Sequence, residues 1–118
     1  MEINELMHMQ VQLDKAHGFP VDFSNRQEKY DQLTKDLVGL FGEVGEFSNI
    51  VKKINIKLAR PNEYELDVDV AEASLRDELI DGLIYILRIG AILDVDLNKA
   101  IVEKIEANKA RYAKLRRE

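Results

Sequence analysis

Four carboxylates in two short clusters hold most of this chain's chemical potential: Glu43 and Glu46 in Glu43-Val44-Gly45-Glu46, and Glu78 and Asp81 in Glu78-Leu79-Ile80-Asp81. A spacing of three inside a helical stretch projects both acids of a pair from one side of the helix. The second pair interrupts the most apolar part of the chain. An uncompensated carboxylate there would cost several kcal/mol, roughly, so its charge has to be offset. Divalent cations are the simplest answer, and an all-oxygen donor set suits Mg²⁺ or Mn²⁺ better than zinc, which favours nitrogen and sulfur. Glu78, Asp81, Tyr85 and Arg88 recur at steps of three, four and three, a single polar stripe on an otherwise apolar helix. A bridge between Asp81 and Arg88 does not explain the stripe, because residues seven apart lie two turns, about 10 Å, from one another along the axis.

The elements that must position these groups are all helical. Ile3, Leu6, Met7 and Leu13 follow a helical period that stops at Gly18 and Pro20, which predicts a first helix over residues 3–17. Ser24-Asn25-Arg26-Gln27 has the Ser-x-x-Gln form of a capping box and predicts the start of a second helix. Its stripe, Tyr30, Leu33, Leu37, Leu40, Val44, Phe47, Val51, Ile54 and Leu58, advances by alternating steps of three and four, as a helix–helix seam does. Gly39 and Gly42 lie close to Glu46 on the helical wheel, and each of Gly39, Gly42 and Gly45 weakens a helix by roughly 1 kcal/mol relative to alanine. Such a thin surface implies close packing of another helix, room for metal and ligand, or both.

Pro61-Asn62 ends that segment, residues 63–69 read as a connection, and a third helix is expected over 70–93. Apolar nearly all round, this helix belongs in the middle of a bundle or assembly, yet it is too short and too charged to span a membrane. Asp96 is the expected N-cap of a fourth helix, with Leu97, Ile101, Ile105, Tyr112 and Leu115 on its apolar side and Lys104, Asn108 and Arg111 on another face.

Composition narrows the function classes. At 118 residues, the chain is read as one domain, 1–118. A net charge of −5 with 33% charged and 46% hydrophobic residues is a globular profile, and it argues against nucleic acid as the partner. With no cysteine there is no disulfide, thiolate metal site or thiol nucleophile. The first ten residues lack a basic start followed by an apolar run, so a cytoplasmic location is expected. Asp67, Asp69 and Glu78 fall at EF-hand positions, but Glu72 occupies the place that needs glycine, and the match is accidental. His8 and His17 do not share a helix face and make a poor joint metal site.

Leu40-Phe41-Gly42-Glu43-Val44-Gly45-Glu46-Phe47 with Lys52-Lys53, followed by residues 77–87 around Glu78 and Asp81, resembles the Glu-x-x-Glu … Glu-x-x-Asp signature of MazG-like all-α nucleoside triphosphate pyrophosphohydrolases. Asp94-Val95-Asp96-Leu97 and residues 104–112 are similar to that family's last helix, so the resemblance covers roughly residues 27–113. The 31 residues between Glu46 and Glu78 exceed the usual connection. The resemblance implies an all-α, four-helix unit packed as a homodimer or homotetramer, with Mg²⁺ (alternatively Mn²⁺) held by Glu43, Glu46, Glu78 and Asp81. It implies hydrolysis of a nucleoside triphosphate to monophosphate and pyrophosphate, with Glu46 acting on the attacking water at the α-phosphate. Tyr85 would bond the substrate, and Lys104, Asn108 and Arg111, with Lys53 as a further candidate, would contact phosphates. Two other readings stay open: a phosphoribosyl-ATP pyrophosphohydrolase, which shares the acidic helices, and a non-catalytic helical dimerisation module with a structural metal site.

Overall fold

The computed structural model describes residues 2–115, and the fold is all-α. Its four helices are α1 (Ile3–Ala16), α2 (Arg26–Ala59), α3 (Val68–Ile92) and α4 (Leu97–Arg111), followed by one 3₁₀ turn, Ala113–Leu115. The first helix matches its expected span to within a residue. Its C-terminal Gly18 adopts a φ of 78°, the left-handed geometry that glycine takes at no steric cost.

Two helix starts differ from expectation for reasons of side-chain chemistry. The N-cap of α2 is Asn25, whose side chain accepts the Glu28 N–H at 2.9 Å, while the Glu28 carboxylate reaches back to the Ser24 N–H and hydroxyl. The capping box therefore runs from Asn25 to Glu28, one residue later than the Ser24–Gln27 reading. An ionised Glu28 is the stronger acceptor, which favours this register. Likewise α3 begins at Val68, two residues before the expected start, because Asp67 accepts the Val70 N–H. Asp96 caps α4 as expected, through the Lys99 N–H.

α2 and α3 form a long antiparallel pair, and α1 lies against α3 at the end where Arg88 sits. α4 packs on α1 alone at any length. The joint between them is polar: the Asn4 side chain accepts the Leu97 N–H at 3.0 Å and donates to Asp96 at 2.8 Å. With α4 projecting, the radius of gyration is 18.6 Å, against about 13–14 Å for a compact domain of this length.

The core is correspondingly small. Among the described residues only Met7, Val21, Ala71, Leu87 and Ile92 are buried hydrophobics. None of the nine α2 stripe residues is buried, and Tyr30, Leu37, Val44 and Leu58 are exposed. The expectation that α3 is enclosed holds only for its C-terminal half: Leu87, Arg88, Gly90 and Ile92 are buried, whereas Leu79 and Ile80 are exposed at 60% and 54%. In a single subunit, the apolar surface near the acidic clusters is left uncovered.

The three glycines of α2 do not share one explanation. A Cβ at Gly39 would overlap the Tyr85 ring, so this glycine makes room for the α3 tyrosine. Around Gly42 and Gly45 the space is open.

Candidate active site

Each step of three or four residues along α2 is matched by an equal step back along α3, so the polar stripe of α3 meets a polar stripe of α2. Asp36 pairs with Arg88, Gly39 lies under Tyr85, and Glu43 and Glu46 meet Glu78. Together these contacts form a polar seam on the helix pair, with two acidic centres near its ends.

At the first centre, carboxylate oxygens of Glu43, Glu46 and Glu78 lie within 4.8 Å of one another. Glu43 and Glu78 are half-buried and Glu46 is exposed. Glu43 Oε2 and Glu78 Oε2 are shut off from solvent, and among the described residues no backbone N–H, amide, hydroxyl or basic group donates to either. Among the described residues no Lys or Arg forms an ion pair with any of the three. Hydrogen bonds with Glu43 and then Glu46, which require a shared proton, together with burial and the like charges, push the Glu78 carboxyl up to about 8. A carboxylate trio that keeps a proton to relieve its own repulsion is chemically short of a cation. Two orphaned inward oxygens and an all-oxygen donor set fit a hard divalent ion such as Mg²⁺ or Mn²⁺.

The second centre supplies its own cation. Arg88 donates from Nε and Nη2 to Asp36 at 3.1 and 2.9 Å, and from Nη2 to the Pro20 carbonyl at 3.2 Å. Its Nη1 lies 2.7 Å from Asp14 Oδ2, an ion pair that is close but poorly aligned as a hydrogen bond. Glutamine amides one turn earlier hold both acids, Gln10 donating to Asp14 and Gln32 to Asp36. Burial disfavours the charged guanidinium, but the bonds to Asp36 and Asp14 outweigh this and raise the Arg88 pKa. Sequence reasoning singled out Arg88 and missed both partners. The Gln-x-x-x-Asp spacing at 10–14 and 32–36 places an amide over each carboxylate, but it recurs at 27–31, where both residues are exposed, so it does not single out the partners.

A cleft of about 760 Å³ runs along the seam. Glu43 and Asp81 line one end, Ile84 and Tyr85 the middle, and Gln32, Lys35, Asp36, Arg88, Asp14, Phe19 and Pro20 the other. Asp81 thus shares a cavity with Glu43, although it stands outside the tight carboxylate trio. Lys104, Asn108 and Arg111 are exposed on α4, where Arg111 stacks over the Tyr112 ring at 5.1 Å, and none of them lines the cleft. Lys53 is also exposed and outside it.

Known proteins resemble this chain over most of its length. It is 32% identical over 85 residues to the proteins named dCTP pyrophosphatase 1 of Rattus norvegicus and of Homo sapiens, a span of 72% of this chain and 48% of theirs. The chain covers about half the length of these curated relatives. No protein-family model and no solved structure matches it. Among the described residues no helix is long and apolar enough to cross a membrane.

Proposed function

We propose that residues 1–118 act as one catalytic domain of the MazG-like kind, hydrolysing nucleoside triphosphates to the monophosphate and pyrophosphate. The observation that carries this reading is the uncompensated trio of Glu43, Glu46 and Glu78, with two buried oxygens lacking donors. Similarity to proteins named for a pyrophosphatase acting on a deoxynucleoside triphosphate supports the reaction class.

In this reading Glu43, Glu46, Glu78 and Asp81 hold Mg²⁺, which when bound neutralises phosphate charge and polarises the phosphorus under attack. The chain's own groups do the rest. Glu46, the exposed member of the trio, has a carboxylate free to accept a proton from an attacking water and to hold that water in line with the α-phosphate. Tyr85, resting on Gly39 midway along the cleft, presents its hydroxyl to the part of the substrate next to the reacting phosphate. In-line attack at the α-phosphate expels pyrophosphate, whereas attack at the γ-phosphate would expel orthophosphate. The small core and uncovered apolar faces of α2, α3 and α4 support a homodimer or homotetramer, and a second copy could bring the Lys104, Asn108 and Arg111 face to the triphosphate.

Product analysis on a panel of NTPs and dNTPs with Mg²⁺ tests the proposal. Monophosphate with pyrophosphate is expected. Diphosphate with orthophosphate, or no turnover of any member, would overturn it.

A further inference from the structure

The end of the cleft away from the acidic trio is built from groups whose valences can be counted. Asp36 is 4% exposed, and its two oxygens are taken up by Arg88 and by the Gln32 amide nitrogen. Because a carboxylate only accepts, that bond fixes which way the Gln32 amide faces: nitrogen toward Asp36, oxygen Oε1 away from it. Among the described residues nothing donates to Gln32 Oε1. Lys35 lines the same end, and it has neither an ion pair nor a side-chain hydrogen bond there. Arg88 is committed to Asp36, the Pro20 carbonyl and the Asp14 ion pair, and its Nη1, which makes no aligned hydrogen bond, is shut off from solvent, so it is not presented to a ligand. The pocket end therefore presents one oriented acceptor and one free donor, with Phe19 and Pro20 as an apolar wall.

The spacing suits a nucleoside. Gln32 and Lys35 precede Glu43 by 11 and 8 residues on one straight helix. That is roughly 16 and 12 Å at 1.5 Å per residue, a span that a nucleotide covers together with the side chains reaching toward it from either end. A substrate with its phosphates at Glu43 and Asp81 would lay its sugar near Tyr85 and its base between Phe19 and the Gln32–Lys35 pair.

We propose that this end of the cleft is a nucleobase subsite, and that Gln32 is a specificity-determining residue selecting bases with an exocyclic amino group beside an unprotonated ring nitrogen, namely cytosine and adenine. The amino group donates to Gln32 Oε1 and the ring nitrogen accepts from Lys35. Uracil and hypoxanthine set a carbonyl acceptor against the Gln32 oxygen and a ring N–H donor against the Lys35 ammonium, so both contacts are lost. This inference rests on the proposed function for the placement of the phosphates, whereas its test reads binding and needs no turnover.

Isothermal titration of the Mg²⁺-loaded protein with non-hydrolysable α,β-imido analogues of CTP, UTP, ATP and ITP measures the discrimination directly. CTP or ATP analogues should bind at least about tenfold more tightly than their keto counterparts, the effect of one buried hydrogen bond. In Gln32→Met, of similar shape but without the amide, the ratio should fall toward one. In Lys35→Met the amino member of each pair should weaken, whereas the keto member, whose ring N–H cannot accept from the lysine, should not. Equal affinities within each pair for the wild type, or an unchanged ratio in Gln32→Met, would overturn the subsite. A protein that discriminates as expected yet releases no pyrophosphate would keep the subsite and lose the proposed reaction.

Discussion

The two acidic centres on the α2–α3 seam are made of similar parts and are neutralised differently. At the α1 end, two aspartates enclose Arg88, and each is also held by a glutamine amide one turn earlier. At the other end, three glutamates converge with no basic side chain against them, and Glu78 is driven to retain a proton. A centre with an internal cation is complete and orders three helices. One without is stable only when something from solution supplies the charge. The same reasoning that makes Asp14–Arg88–Asp36 structural supports the proposal that Glu43–Glu46–Glu78 takes a cation from solution.

Removing charge should therefore act in opposite directions at the two ends, and the structural end should show the larger effect. Arg88→Met leaves two buried carboxylates without a cation and should cost about 3–5 kcal/mol in denaturant unfolding. Adding Asp14→Asn and Asp36→Asn to that variant should recover much of the loss. A cost below about 1 kcal/mol would show that the triad does not hold α1 in place. At the other end, Glu46→Ala should lower kcat by at least about 10²-fold while the fold persists, since the residue is exposed and packs little. Unaltered turnover in that variant would remove Glu46 from the chemistry.

The fold was legible where short-range chemistry decides it. Helical periodicity, Gly18 with Pro20, and Asp96 located all four helices, and the errors at two starts came from Asn25 and Asp67 competing as caps with their neighbours. The convergence of Glu43, Glu46 and Glu78 was also legible, because acids at a spacing of three on two seam-forming helices have few other ways to be arranged. What pairs with Arg88 was not, since Asp14 lies 74 residues away on a helix whose docking direction no local pattern encodes. Similarly, nothing in the spacing of Gly39, Gly42 and Gly45 says that only the first carries a tyrosine ring.

Cation binding should stabilise the protein through the acidic end of the seam and not through the Arg88 triad. Mg²⁺ at 100 times its dissociation constant adds about 2.7 kcal/mol, and Glu78→Gln should remove most of that gain while leaving the metal-free protein as stable as wild type or more so. Melting curves with and without Mg²⁺ for the two proteins provide the comparison. A wild type whose Tm ignores millimolar Mg²⁺ and Mn²⁺ would mean that the trio holds no cation.

A smaller effect is expected between the centres. Gly39→Ala gains up to about 1 kcal/mol of helix propensity, but its Cβ overlaps the Tyr85 ring, which must swing away. Stability should change little, while KM rises about five- to tenfold as the tyrosine is displaced along the cleft. If KM is unchanged, Tyr85 does not touch substrate.

The smallest effect is the most diagnostic, because it separates the centres by pH. The Glu78 carboxyl is raised from 4.5 to about 8 in the folded, metal-free protein, chiefly by the proton it shares with Glu43 and Glu46. A folded-state pKa above the unfolded value means that the folded chain binds this proton more tightly. Stability from that source is full below pH about 4.5, declines as pH rises, and is gone above about 8. Metal-free protein should thus lose Tm gradually across that interval, and Glu78→Gln should flatten the slope. Added Mg²⁺ competes with the proton, so its apparent affinity should tighten over the same range and cancel the decline. An Arg88 variant carries the same trio and should keep the Glu78 slope from its lower starting Tm. If the slope followed the Arg88 substitution instead, the pH response would belong to the triad and the trio would not be sharing a proton.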